Sequence, residues 1–280
     1  MAKPSGVILG AQSVSHVFRH LRLFSNIASV WSLMVTLAVG LTGAVIATSE
    51  GSDLSAVMMR MEDGDLLRQY LIVTGITSTF GQLATAVGWS RFILLKERPQ
   101  LTFSMPSGSA RYFSRSIILL FGAFVLAIPG FIAGAIIGAS VPSDAGKIAA
   151  AVVMGIGALI AVYLCIRAWL IFPAVAIGDS DMGLRRSFAM TRGLIAPILI
   201  GTVIPYGAFM LVAFVPMGAL DLAADYLDGS LYVVATLVSE FLSSFLIYGA
   251  VAASAGVLAR IYEEVVPATK ANPEQVAAFE

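Results

Sequence analysis

The chain has 280 residues, of which 58% are hydrophobic and only 12% charged, with a mean hydropathy of +0.90 and zero formal net charge. A soluble domain carries about a quarter charged residues, so this composition excludes the soluble classes and predicts a polytopic membrane protein. One cysteine, Cys165, excludes an intrachain disulfide and any multi-cysteine metal site, and two histidines leave little for histidine-based chemistry.

The first element in chain order is a short amphipathic stretch over residues 14–22. Val14, Val17, Phe18 and Leu21 recur at i, i+3, i+4 and i+7, with His16, Arg19 and His20 opposite. Such a helix is expected to lie in the membrane interface with its basic face toward anionic headgroups. His16 and His20 have the i, i+4 spacing of a metal pair. Their basic neighbours repel a cation and no further His or Cys is near, so no metal site and no cofactor is expected.

Six apolar stretches follow, each near the roughly 20 residues that span a hydrocarbon core: residues 25–47, 66–95, 117–139, 148–177, 194–220 and 231–261. The first is too long for the apolar region of a cleaved signal and is expected to stay as an anchor. The second is interrupted by Thr74, Thr77, Ser78, Thr79, Gln82 and Thr85, so it should face protein or a cavity rather than lipid. Gly130, Gly134 and Gly138 form a doubled G-x-x-x-G on the third. That face admits a close helix, either within the chain or across a homodimer seam.

Arg167, near the end of the fourth stretch, is long enough to snorkel to the interface. The fifth carries Pro197, Pro205 and Pro216, which predict a kinked or broken helix. Broken spans line substrate sites in transporters, although prolines also occur in ordinary membrane helices. Glu240 is the one carboxylate well inside a stretch, and a charge there needs a partner, a cavity or a proton. Glu240, Gln82 and Pro205 are therefore candidates for a polar cavity among spans two, five and six; the alternative for Glu240 is a packing hydrogen bond.

Two motifs recur. Amphipathic, Arg-bearing segments precede each odd-numbered span, at residues 14–22, 109–115 and 183–192, and are expected to form three short elbow helices. Asp179, Ser180 and Asp181 suit the start of the third elbow, and Gly193 suits the position after its end. The even-numbered spans end on an Arg with an aromatic: Trp89-Ser-Arg91, Arg167-Ala-Trp169 and Arg260-Ile-Tyr262. Together these predict three elbow-plus-hairpin units, arranged with pseudo-threefold symmetry.

With the N-terminus in the cytoplasm, all seventeen Lys and Arg except Arg60, Arg68 and Lys147 fall on the cytoplasmic side. The positive-inside bias thus predicts six spans with both termini cytoplasmic, forming a single domain over residues 1–280 with a tail from residue 262. The elbow and boundary arginines, Arg19, Arg111, Arg115, Arg167, Arg185, Arg186 and Arg192, are the lipid-headgroup candidates. No phosphate loop, nucleophile elbow, catalytic carboxylate pair or nucleic-acid module appears, and neither an enzyme nor a nucleic-acid partner is expected.

Residues 167–179 (RAWLIFPAVAIGD) and 184–193 (LRRSFAMTRG) resemble the bacterial family of glycerophosphoryl diester phosphodiesterase membrane domains and related six-span proteins. Ser187, Thr191, Arg192 and Gly193 match its elbow ending, and Arg260-Ile-Tyr262 matches its sixth span. The resemblance implies a stand-alone bacterial inner-membrane module. It does not import the esterase, which belongs to a separate soluble barrel for which this chain has no room. By analogy with a headgroup enzyme, the expected role is to bind or move a lipid or other amphiphile. The alternative is a structural or assembly subunit that docks other membrane proteins, or a second copy, through its Gly-rich faces.

Overall fold

The computed structural model describes residues 5–59, 64–99, 105–141, 143–223, 226–227 and 229–266. Among them the fold is all-α, and six segments are long and apolar enough to cross a membrane. The chain runs α1 (Gly6–Arg19), α2 (Leu21–Glu50), α3 (Leu54–Met59), α4 (Gly64–Leu95), α5 (Ser109–Ser140), α6 (Asp144–Ala168), α7 (Ile171–Ala176), α8 (Leu184–Met190), α9 (Ile195–Ala223) and α10 (Gly229–Val265). Spans one to six are α2, α4, α5, α6 with α7, α9 and α10.

The three hairpins form as read, α2 with α4, α5 with α6 and α9 with α10, but they are not equivalent. α10 is the axis of the bundle. Its most apolar window is 72% buried, against 11% for α5, because α9, α4, α2 and α1 all pack on it. Small residues make this crowding physically feasible: from Gly249 to Gly256 every residue of α10 is Gly, Ala, Val or Ser, and all are buried. The α5–α6 hairpin stands outside, joined to the rest mainly through α7 and α4. Pseudo-threefold symmetry is therefore absent from the arrangement.

The elbows also diverge. α1 is a separate helix that ends at His20, and α8 is another, but residues 109–115 are simply the first turns of an unbroken α5. The buried face of α1 is Gly6, Leu9, Gly10, Ser13 and Val17, not the stripe through Phe18 and Leu21, both of which are exposed. A Cβ on Gly6 would sit 2.8 Å from the Pro197 carbonyl oxygen, and one on Gly10 3.1 Å from that of Gly201. α1 thus lays a small-residue face across α9 and α10, with Phe18 and Leu21 outside that face.

The break expected at the prolines of span five is not found, whereas span four breaks at a proline for which no break is expected. α9 runs unbroken through Pro205 and Pro216, and Pro197 sits in its first turn, where no N–H is needed. Span four, read as one helix, breaks at Trp169–Leu170. Pro173 explains this, since it cannot donate to the Trp169 carbonyl four residues back, which accepts from Phe172 N at 3.1 Å instead. At the other boundary α10 continues to Val265, so the helix includes the first residues assigned to the tail; residues 267–280 lie outside the described residues.

Candidate functional site

One end of the bundle gathers the end of α4, the α6–α7 break, α8, the start of α9, the end of α10 and the whole of α1 around a shared core. It also holds the basic residues of the elbows and span ends, and is called the basic end below.

The three Arg-aromatic endings are its ties. Arg91, with its side chain 14% exposed, donates to both carboxylate oxygens of Glu97 at 2.6 and 2.7 Å. It also donates to the Ala176 carbonyl at the end of α7, at 3.1 Å. Arg167 donates to the Phe188 carbonyl in α8, with its guanidinium 5.0 Å from the Phe188 ring centroid and 5.9 Å from that of Tyr163. The Ser187 hydroxyl donates in return to the Arg167 carbonyl at 2.7 Å, and the Thr191 hydroxyl, 2.8 Å from the Ser187 carbonyl, also lies within reach of that of Arg167 at 3.2 Å. That carbonyl lies in the last turn of α6, where intrahelical donors run out. Arg260 donates to Gln12 Oε1 in α1 at 3.1 Å, and Tyr262 OH to Asp179 Oδ2 at 2.5 Å.

Asp179 does not cap α8. Gly183 holds the N-cap position without a side-chain bond, while Asp179 Oδ1 accepts from Asp181 N at 2.9 Å and Oδ2 from Tyr262. Gly193 does adopt the left-handed conformation that its position after the elbow requires, φ +80°.

Between these ties two open grooves adjoin. The first, of about 600 Å³, is lined by Gln12, His16 and His20 with Lys96, Arg260, Glu263 and Glu264, over an apolar wall of Leu9, Phe92 and Ile93. The second, of about 560 Å³, is lined by Arg22, Leu23, Asn26, Arg98 and Pro99 and shares His20 and Phe92 with the first. α4 ends at the groove: Lys96 takes φ +59° and its Nζ donates to the Ile93 carbonyl at 2.7 Å, a cation at a helix C-terminus. The His16 ring lies 4.5 Å from His20 and 5.7 Å from the fully buried Trp89, centroid to centroid. Burial holds the His16 pKa down at about 4, helped by the positive charge of His20, Arg260, Lys96 and Arg19. His16 is therefore neutral at pH 7.

The sequence candidates separate by place. Arg19, Arg111, Arg115, Arg185 and Arg192 are exposed and Arg186 is half-buried, whereas Arg167 is turned into the fold. Gly130 and Gly134 face α6: a Cβ on Gly130 would lie 2.7 Å from Gly157 Cα, one on Gly134 2.8 Å from the Ala150 carbonyl oxygen, and one on Gly138 3.5 Å from Ala150 Cβ. Glu240, Gln82 and Pro205 do not converge. The Thr202–Ser254 and Ala213–Ser243 bonds place Glu240 level with Pro216, eleven residues or roughly 16 Å along the axis from Pro205. Contacts of Gly81 with Tyr248 and of Trp89 with Gly256 place Gln82 nine residues, or roughly 13 Å, from the level of Glu240. Gln82 donates to Ser78 Oγ on its own helix at 3.1 Å, and Thr77 and Thr79 bond to carbonyls one turn back. The polar second span thus satisfies much of its polarity locally.

Sequence reasoning missed Gln12, Lys96, Arg98, Glu263 and Glu264. Only the sidedness of Lys and Arg pointed toward this end, and nothing local joins α1 to the ends of α4 and α10. The fold defines a six-span, all-α membrane protein with a charged groove at its basic end. No protein-family model, curated protein or solved structure matches the chain.

Proposed function

We propose that this protein binds, and in binding positions or moves, a lipid or other amphiphile by its headgroup at the basic end, without chemistry of its own. The observation that carries this is the first groove, where Lys96, Arg260, two histidines and the carboxylates of Glu263 and Glu264 stand against Leu9, Phe92 and Ile93. Charged groups beside an apolar wall suit a headgroup with hydrocarbon attached. The second groove adds Arg22 and Arg98, and the exposed elbow arginines extend the cationic surface over which anionic lipid would gather. The resemblance of residues 167–193 to phosphodiesterase membrane domains, an expectation from the sequence alone, is in keeping with this reading. The docking alternative has less support at the doubled G-x-x-x-G, because Gly130 and Gly134 face α6.

The proposed setting is the bacterial inner membrane, with the basic end cytoplasmic. In a Cys165→Ala background, Lys147→Cys should react with an impermeant maleimide from outside and Arg186→Cys should not. The binding test is native mass spectrometry from mild detergent. Wild type should carry phospholipid in stoichiometric amount, and Lys96→Glu with Arg98→Glu should lose it; a lipid-free wild type would refute the reading.

A further inference from the structure

The two grooves differ in charge, and the difference identifies a ligand class; the inference rests on the headgroup reading above. The second groove holds Arg22 and Arg98 and no carboxylate. The first matches two fixed cations, Lys96 and Arg260, with two carboxylates, Glu263 and Glu264, while its His16 ring is neutral at pH 7.

Such a lining gives a bare anion little. Whatever a phosphate gains from Lys96 and Arg260 it loses in part to Glu263 and Glu264, which line the same groove. A ligand bearing both charges avoids the conflict. Glu263 and Glu264 follow Arg260 by three and four residues on α10, so the backbone positions of Arg260 and the glutamates are offset by about one helical turn, near 5.4 Å. A phosphate and an ammonium joined by two carbons are separated by a similar distance.

The bland alternative is mutual neutralisation along the helix. Arg before Glu is the weaker order for such pairs, and Arg260 instead donates to Gln12 across the groove wall at 3.1 Å.

We infer that the first groove takes a zwitterionic phosphate ester of the phosphoethanolamine type. The phosphate lies between Lys96 and Arg260, the ammonium at Glu263 and Glu264, and the apolar remainder against Phe92 and Leu9. The arrangement gives the two groove carboxylates a role: they select against anionic headgroups that the surrounding arginines would attract.

The test uses the full chain reconstituted in vesicles of equal phosphatidylethanolamine and phosphatidylglycerol, extracted in mild detergent, with bound lipid read by native mass spectrometry. Wild type should retain phosphatidylethanolamine several-fold over phosphatidylglycerol. Glu263→Gln with Glu264→Gln, both exposed positions, should abolish or reverse that ratio. Equal or greater phosphatidylglycerol retention by wild type overturns the inference and leaves the headgroup reading standing, as does a ratio unchanged in the double variant. A second arm titrates soluble O-phosphoethanolamine against inorganic phosphate by calorimetry. Preference for the former without bound lipid keeps the ligand chemistry and assigns it to a soluble source. Binding in neither arm overturns both readings.

Discussion

Ser254 on α10 donates its hydroxyl to the backbone carbonyl of Thr202 on α9 at 3.3 Å, and Ser243 repeats the bond to Ala213 at the same distance. Both accepting carbonyls lie three residues before a proline, Pro205 and Pro216, and prolines and serines alike are eleven residues apart. Proline removes one helix N–H and its ring opens the turn behind it. In a membrane the exposed carbonyls then need another donor. Each serine thus ties α10 to the turn of α9 just behind a proline, at the carbonyl next to the one, Gly201 or Val212, that the proline leaves without its helical donor.

Removing either hydroxyl should therefore loosen the α9–α10 pair. Ser254→Ala and Ser243→Ala are each expected to lower stability by about 0.6 kcal/mol, the average for such bonds between membrane helices. Pro205→Ala returns an N–H to the Gly201 carbonyl, not to that of Thr202, so the proline and serine substitutions should be nearly additive. Unfolding in detergent across this double-mutant cycle measures the coupling; a Ser254→Ala cost that vanishes without the proline would show that the two serve one carbonyl.

The elbow motif makes a sharper case. Ser187 and Thr191 are fully buried and share the Arg167 carbonyl at the α6 terminus. Ser187→Ala with Thr191→Val should cost about 1–3 kcal/mol, the range for leaving a buried acceptor unmet, and should expose α8 to proteolysis. Either substitution alone should be milder, because one donor remains. A double variant as stable as the parent would remove the latch role from this motif.

These contacts show what could be read from the chain and what could not. The spans were legible because membrane helices are long apolar runs, and the α5–α6 seam because G-x-x-x-G has a packing meaning by itself. The break at Trp169 had its cause in view at Pro173, but hydropathy passes straight through it. The buried face of α1 was hidden because Gly6, Gly10 and Ser13 bury by close approach, which a search for large apolar residues overlooks. The groove was illegible for a different reason: Gln12, Lys96 and Glu263 meet only after α1 crosses to α10, and no local pattern encodes that crossing.

The α5–α6 seam separates a folding role from a dimer role. Gly130→Val would drive two methyls into Gly157, whose Cα stands where the first added atom would go. The expected loss is about 1–3 kcal/mol of stability by overpacking, without change in the oligomeric state seen by light scattering. A variant of parental stability that shifts only the oligomeric state would move this face to an intermolecular seam.

His16 should make stability depend on pH. Its folded pKa, about 4, lies below its ordinary value of 6.5 because burial and then the neighbouring cations oppose protonation. Between those values the unfolded chain binds more protons than the native one, so stability falls as pH drops through that window. Above it this group contributes no slope. Melting temperature should therefore decline on going from pH 7 to pH 5, and His16→Gln should flatten the decline. An equal decline in the variant would assign the slope to other groups.

Glu240 is half-buried on α10 between the buried Ser239 and Ser243 and engages a neighbour within the fold. Its separation from Gln82 and Pro205 leaves it no part in a shared cavity with them. A local polar contact needs an acceptor oxygen more than a charge, and an amide provides that oxygen. Glu240→Gln should therefore stay within about 0.5 kcal/mol of the parent, as an ordinary tolerated substitution does. Glu240→Leu should cost about 1–3 kcal/mol by leaving its partner unmet. Lipid retention should be unchanged in both, since the grooves lie at the other end of α10. If Gln proves as damaging as Leu, the negative charge itself is what the partner requires. If either variant loses bound lipid while keeping its melting temperature, Glu240 belongs to the binding path and the separation drawn between it and the basic end is mistaken.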